Sequence, residues 1–284
     1  MHPILFTIGE IDIRTYGVAM AMAFIVNIYI MGRRSLKDGL DPDLALNTCF
    51  WIIIGTLLGG RILFIITQWD KYVDDPISML KLWKGGLVFY GGFLGSFLAA
   101  VLYVKVWSKK KALPITDLFS PYVGLGLAIH RNFGCFLNGC CFGRPTDLQC
   151  TIPGLDTTIH LGANFAANHP GSKLYGVNAF LHPTQVYEAI NGLIIFYALL
   201  WWRGKRKNHG ELTALLLCIY AVNRFIIEYF RGDPVRGMVG PFTTSQFIGF
   251  LVFAAGIAVF LYSRKYGMKA GEEERGTPSS PFYR

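Results

Sequence analysis

The sequence predicts an all-α integral membrane protein, a bundle of about seven transmembrane helices with a small extracytoplasmic head. Three observations carry this expectation. The chain is 52% hydrophobic and only 16% charged over 284 residues, where a soluble domain carries about 25% charged residues. Its apolar residues fall in long runs, most of them close to the ~20 residues an α-helix needs to cross the hydrocarbon core. Lys and Arg gather in short clusters between those runs, as orientation signals do. The net charge of +9 would by itself suit a nucleic-acid binder, but the clustering points to the lipid bilayer as partner and away from nucleic acid.

Each run can be justified in order. Tyr16–Met31 is free of charge, Leu44–Gln68 holds only Arg61, and Gly85–Trp107 holds only Lys105 near its end. Leu118–Ile129 is short. Thr184–Trp202 contains Glu188, Leu212–Phe230 contains Arg224 and Glu228, and Phe242–Tyr262 is uncharged. With the N-terminus outside, sixteen Lys and Arg fall in the inside connections and eight in the outside ones. The positive-inside rule therefore puts the C-terminus in the cytoplasm. The opening MHPILFTIGEIDIR lacks the basic n-region expected of a cleavable signal.

Residues 1–268 are read as the transmembrane domain, with 144–181 as the extracytoplasmic head inserted between the fourth and fifth spans. Residues 269–284, KAGEEERGTPSSPFYR, are read as a cytoplasmic tail expected to be disordered. No internal repeat stands out, which lowers the case for a transporter built from duplicated halves.

A charged side chain inside a bilayer costs at least ~2.5–3.5 kcal/mol, so each one asks for a partner or a function. Arg224 and Glu228 lie four apart on one helical face and can pair with each other; the alternative is that Arg224 meets a ligand. Arg61 follows Gly59-Gly60 and either hydrogen-bonds loop carbonyls or lines a site. Glu188 sits one turn into its helix, where a structural or supporting role is expected. The glycines at 55, 59 and 60 and within GGLVFYGGFLG (Gly85–Gly95) suit close helix packing. Those flanking Tyr90 would also leave backbone N–H groups and space for a lipid head group.

The stretch HRNFGCFLNGCCFG (His130–Gly143) places Arg131 among glycines and asparagines behind an apolar run. A continuous helix there is costly, and the segment is expected to unwind. Irregular backbone at membrane depth is tolerated where protein buries it or it lines a wet cavity. An arginine in such a cavity suits a phosphate, whose oxygens match the guanidinium fork. Cys135, Cys140 and Cys141 lack a second spaced pair to complete a zinc site, and His130 would need the loop to fold back, so no metal is expected. Cys135 is read as a small apolar filler, and an oxidising compartment would permit a disulfide from Cys150 to Cys140 or Cys141.

The chain resembles the prolipoprotein diacylglyceryl transferase family over nearly its whole length. The resemblance is carried by Tyr16-Gly17, GGRILF (Gly59–Phe64), GGLVFYGGFLG, GCFLNGCCFGRPTD (Gly134–Asp147), HPTQVYE (His182–Glu188), YAVNRFIIEYFRGD (Tyr220–Asp233) and TSQ (Thr244–Gln246), in that order. It implies an enzyme of the bacterial cytoplasmic membrane without a cofactor. Its partners would be phosphatidylglycerol and prolipoprotein signal peptides bearing a lipobox cysteine. The implied reaction moves the sn-1,2-diacylglyceryl group onto that cysteine thiol and releases glycerol phosphate, as the first step of lipoprotein maturation. The nucleophilic thiol then belongs to the substrate, so neither Cys140 nor Cys141 need be catalytic.

By matching position, Arg224 is the family's arginine in the sixth span and is expected on the phosphate. Tyr16 and Tyr220 match tyrosines near the lipid head group, and Asn138 and Gly143 match residues of the family signature. Arg61 is included among the lipid-binding candidates. Three departures stand out. Tyr90 occupies the place of the usual histidine between the glycine pairs, and a phenol with an ordinary pKa of ~10 is a poor base near neutrality. Arg131 stands one residue early relative to GCFLNGCCFG, with Asn132 in the family arginine's place. Cys140 stands where an acidic residue is common. The catalytic candidates are thus Tyr90, Arg131 and Arg224. The rivals are a transferase of the same fold acting on another lipid or acceptor, a non-catalytic lipid binder and a transporter.

Overall fold

A computed structural model of the chain describes residues 4–8, 11–72, 79, 86, 88–152, 157–165, 169–176, 178–232 and 237–269. The expected tail lies almost entirely outside these residues. The described chain is mostly helical, and its helices coincide with the apolar runs. They are α1 (Thr15–Lys37), α2 (Pro42–Thr67), α3 (Phe89–Val101), α4 (Ala112–Ile129), the short α5 (Pro170–Tyr175), α6 (Thr184–Arg203), α7 (Glu211–Glu228) and α8 (Thr244–Tyr266). Among the described residues, α1, α2, α8 and the continuous helix Ala112–Phe136 are long and apolar enough to cross a bilayer. The other three runs fold as α3, α6 and α7. Among the described residues the strands are short and pair in twos, leaving the all-α reading intact.

Two helices widen into π-helical turns at their C-terminal ends: α3 continues through Leu102–Trp107 and α4 through His130–Phe136. The second widening corrects an expectation. His130–Phe136 does not unwind. The break comes three residues later, where Gly139 (φ 76°) and Cys141 (φ 63°) adopt left-handed backbone. Packing of Gly134 and Cys135, both buried, outweighs the propensity cost of Gly and Asn in this turn.

The molecule divides into two compact units, one comprising residues up to 27 together with 119–270, the other built on 28–118. In the second unit α2 lies along α3 on a seam of glycines. A Cβ at Gly55 or Gly59 would collide with the backbone carbonyls of Gly95 and Gly91, and the reverse substitutions meet the carbonyls of Gly55 and Gly59. Close packing is therefore what these glycines provide. Arg61 is 6% exposed and donates from Nε to Met79 O at 2.9 Å and from Nη1 to Gly86 O at 3.2 Å.

In the first unit an N-terminal antiparallel pair, β1 (Ile4–Ile8) and β2 (Ile11–Arg14), leads into α1. Helices α4 and α6 meet at Gly124 and Gly192, where a Cβ on Gly124 would stand 2.7 Å from Gly192 O. Ile195, Leu199 and Leu212 form a fully buried cluster between α6 and α7. Helix α8 packs on α7, starting from a reciprocal cap in which Gln246 N–H donates to Thr243 Oγ1 and Thr243 N–H to Gln246 Oε1.

The expected head contains β3 (Gln149–Ile152) paired with β4 (Thr157–His160), and β5 (Ala163–Asn164) paired with β6 (Phe180–Leu181). Phe142, Phe165 and Leu181 give it a small core. His169 accepts from Gly171 N–H at 3.0 Å, which caps α5, and its other ring nitrogen contacts Gly139 O. Tyr175 donates to Gly232 O at 2.8 Å.

Candidate active site

The N-terminal turn of α6 organises the site. Thr184 Oγ1 donates to Cys141 O, and Gln185 Nε2 donates to Cys140 O at 2.7 Å. HPTQVYE therefore clamps the two residues at which α4's extension ends. His182 Nδ1 lies 3.0 Å from the Tyr187 hydroxyl, and burial lowers the His182 pKa. One turn further along α6, Glu188 is 2% exposed and points at α7.

There it meets Arg224. Nη1 of Arg224 stands 3.1 Å from Glu188 Oε1, Nη2 stands 3.0 Å from Glu228 Oε2, and Nη2 donates to Ser245 Oγ at 3.2 Å. The sequence left open whether Arg224 pairs with Glu228. It does, and Glu188 is a second carboxylate partner. Arg224 Nη1 and Glu188 Oε1 are thus paired by charge. Glu188 Oε2 and Arg131 Nε are buried and have no hydrogen-bond partner among the described residues. Buried polar atoms are almost always paired, so these carry spare capacity for a polar ligand. Beside Arg224, Asn223 donates to Asn191 Oδ1 at 2.7 Å, tying α7 to α6.

Arg131 comes to the same place. It interacts electrostatically with Glu188 and Tyr220, and its Nη1 approaches Cys135 Sγ at 3.8 Å and Cys141 Sγ at 3.6 Å. Asn132, by contrast, is exposed. The π-helical turn accounts for this. It takes up one more residue per turn than an α-helix, which absorbs the one-residue offset of Arg131 from the GCFLNGCCFG motif.

Tyr220 is under the influence of Glu188, Arg224, Arg131 and Arg231, the last just beyond α7. Tyr16 sets its ring edge-on to His130 at 4.6 Å, within range of Arg131 and the cysteines. Three guanidinium groups (Arg131, Arg224, Arg231) and two carboxylates (Glu188, Glu228) thus leave an excess of one positive charge.

Cys135, Cys140 and Cys141 are free thiols whose sulfurs all lie within 4.8 Å of one another. Spacing along the sequence did not reveal this convergence, which depends on the π turn and the left-handed Cys141. The Cys140 thiol donates to Cys135 O at 3.7 Å. The neighbouring thiols, with Arg131 and Arg231, hold the Cys141 thiol below the ordinary thiol range against its burial. Asn138 hydrogen-bonds Cys140.

The amide of Gly143 is committed to His182 O at 2.9 Å, and a Cβ there would stand 2.7 Å from Phe230 O. Gly143 thus allows three backbone segments to meet. Arg61 and Tyr90 belong to the other unit; Arg61 is engaged with loop carbonyls as above, and the Tyr90 and Cys150 side chains lie outside the described residues. Thr184, Gln185, Ser245 and the Asn191–Asn223 pair were missed from the sequence. Only the motifs HPTQVYE and TSQ hinted at the first three.

Apolar spans around a buried, nearly charge-balanced set of arginines and carboxylates define an integral membrane protein with a polar site enclosed among its helices. A family model for prolipoprotein diacylglyceryl transferase matches residues 3–262. The chain is 36% identical over 266 residues to a phosphatidylglycerol-prolipoprotein diacylglyceryl transferase of Clostridium tetani, covering 93% of this chain and 98% of that protein. It is 31% identical over 277 residues to transferase 2 of the same name from Clostridium perfringens, covering 96% and 100%. With the Thermotoga maritima protein of that name it shares 30% identity over 264 residues, covering 92% and 84%. The chain belongs to the prolipoprotein diacylglyceryl transferase family, and it is a membrane-embedded transferase.

Proposed function

We propose that this chain transfers the sn-1,2-diacylglyceryl group from phosphatidylglycerol to the lipobox cysteine of a prolipoprotein. The substrate sulfur forms a bond to the terminal glycerol carbon of the diacylglyceryl group as the C–O bond to phosphate breaks. The thiol proton passes to a base or water, a thioether results, and glycerol phosphate departs. The phosphate goes from one negative charge as a diester towards two as a monoester, so cations aimed at it stabilise the transition state more than the ground state.

The observation that carries this reading is the gathering of Arg224 and Arg131 around Glu188, Arg224 at ion-pair distance and Arg131 with a buried Nε that has no hydrogen-bond partner among the described residues. The surplus of one positive charge suits a monoanionic diester, and the carboxylates hold the guanidinium groups in place while no lipid is bound. In this assignment Arg131 and Arg224 grip the phosphate, and Tyr16, Tyr220 and Asn138 face the head group. On the resemblance alone, Tyr90 is assigned the role of a hydrogen-bond donor in the reaction, and Gly143 shapes the backbone beside the arginines. The surplus of Lys and Arg in alternate connections supports an N-terminus outside the bacterial cytoplasmic membrane and a cytoplasmic C-terminus.

The test is transfer by purified protein in phosphatidylglycerol-containing micelles, read by mass spectrometry of a lipobox peptide. A diacylglyceryl mass gain on the cysteine is expected, and Tyr90→Phe should lower the rate without abolishing binding of the lipid. No gain with any lipobox peptide, in protein that still binds phosphatidylglycerol, would move the assignment to another acceptor.

A further inference from the structure

The lipid chemistry proposed above makes no use of the three thiols, yet they are the most convergent group of soft ligands among the described residues. Their sulfurs lie within 4.8 Å of one another. A thiophilic ion at ~2.3 Å from each sulfur requires the three to stand about 4 Å apart in a trigonal arrangement. Side-chain rotations of less than an ångström close that difference. A disulfide would instead demand an approach to ~2.05 Å by two of them, and the adjacent pair Cys140-Cys141 is poorly placed for it.

The backbone that carries the ligands is fixed partly within the cluster, where Cys140 N–H donates to Cys135 O at 3.2 Å, and partly from outside it. Gln185 and Thr184 hold the carbonyls of Cys140 and Cys141. Cys141 sits in left-handed backbone at φ 63°, a conformation that a side chain adopts only when its surroundings impose it. Charge fits as well. Three thiolates and a divalent ion sum to one negative charge, and Arg131 Nη1 already stands 3.6–3.8 Å from two of the sulfurs.

We propose that Cys135, Cys140 and Cys141 form a three-thiolate site for a thiophilic divalent cation of the zinc class, seated against the guanidinium of Arg131. Binding forms three metal–sulfur bonds and releases the thiol protons to water. Cys135 is buried, while Cys140 and Cys141 are partly exposed and give the ion its way in. Occupancy draws Arg131 towards the metal thiolate and so links the ion to the residue proposed to grip phosphate.

The test uses the full chain, purified in detergent under reductant, exchanged into Zn2+ or Cd2+ and passed through a desalting column. One retained metal per chain is expected, with an ultraviolet sulfur-to-cadmium charge-transfer band. Both should be lost in Cys140→Ser and in Cys141→Ser and kept in Cys150→Ser. Because Cys135→Ser removes a buried residue and can compromise folding, the two partly exposed positions carry the test, each variant being accepted only if monodisperse by size exclusion. Retention well below one metal per chain overturns the proposal, as does equal retention by Cys140→Ser and Cys141→Ser. A disulfide between any two of the three, found by mass spectrometry of protein isolated without reductant, overturns it too.

Discussion

In α2, Arg61 directs Nε and Nη1 at the carbonyls of Met79 and Gly86 and places its guanidinium carbon 5.7 Å from the rings of both Phe64 and Tyr72. In α7, Arg224 faces two carboxylates and a hydroxyl, with Nη1 3.1 Å from Glu188 and Nη2 3.0 Å from Glu228. Both arginines sit in apolar helices, and the sequence leaves each with two readings, a structural partner or a ligand. The partners separate them. Carbonyls of the chain's own loop satisfy a guanidinium permanently and make it a clasp. Carboxylates at ion-pair distance hold one in place while leaving it able to exchange partners when an anion arrives.

The largest expected effect follows from that contrast. Arg224→Ala should lower transfer by about 10²–10³-fold, the usual result of removing one donor from a site where charge develops, with the protein still monodisperse in detergent. Near-normal transfer would reduce Arg224 to a structural partner of Glu188 and Glu228. Arg224→Lys keeps the charge but loses the planar fork and should recover only part of the rate.

Arg131 and Asn132 give the next test. If the π-helical turn delivers Arg131 to the pocket in place of the residue after it, Arg131→Ala should cost about 10²-fold in transfer while the exposed Asn132→Ala leaves it unchanged within twofold. The reverse result would mean that the motif's ungapped register, not the widened helix, sets the active positions.

The helices were legible because apolar runs long enough to span a bilayer leave few alternatives. Leu44–Gln68 became Pro42–Thr67, and Phe242–Tyr262 became Thr244–Tyr266. Leu118–Ile129 was read as a short span, because Gly, Asn and Arg in HRNFGCF masked a helix that continues by widening. Propensity lost there to packing, which no local rule contains. Arg131 and Arg224 were legible as charges out of place in apolar surroundings. Thr184, Gln185 and Ser245 were not, since their value comes from partners 43, 45 and 21 residues away in sequence. The thiol cluster was hidden for the same reason, although two of its members are neighbours.

A smaller effect should sharpen the contrast from the other side. Arg61→Ala removes two hydrogen bonds from a charged donor to otherwise solvent-poor carbonyls, and about 3 kcal/mol of stability with them. Thermal unfolding in detergent should therefore move down, while the transfer rate per folded molecule stays near that of the parent. A rate loss at unchanged thermal stability would instead place Arg61 with the anion-binding arginines.

Ser245→Ala should have the smallest effect, and its form matters more than its size. Ser245 Oγ accepts from Nη2 of Arg224 at 3.2 Å, and the same nitrogen lies 3.0 Å from Glu228. Losing one neutral acceptor costs about 1 kcal/mol, roughly fivefold in rate if the bond is needed to aim the guanidinium at the reacting phosphate. If Arg224 binds the diester equally in ground and transition states, the loss should appear in KM alone. If it follows the charge that grows as the C–O bond breaks, kcat should fall while KM holds. Because the hydrogen bond of the Ser245 hydroxyl is to the arginine, this split reports how Arg224 is used without removing it.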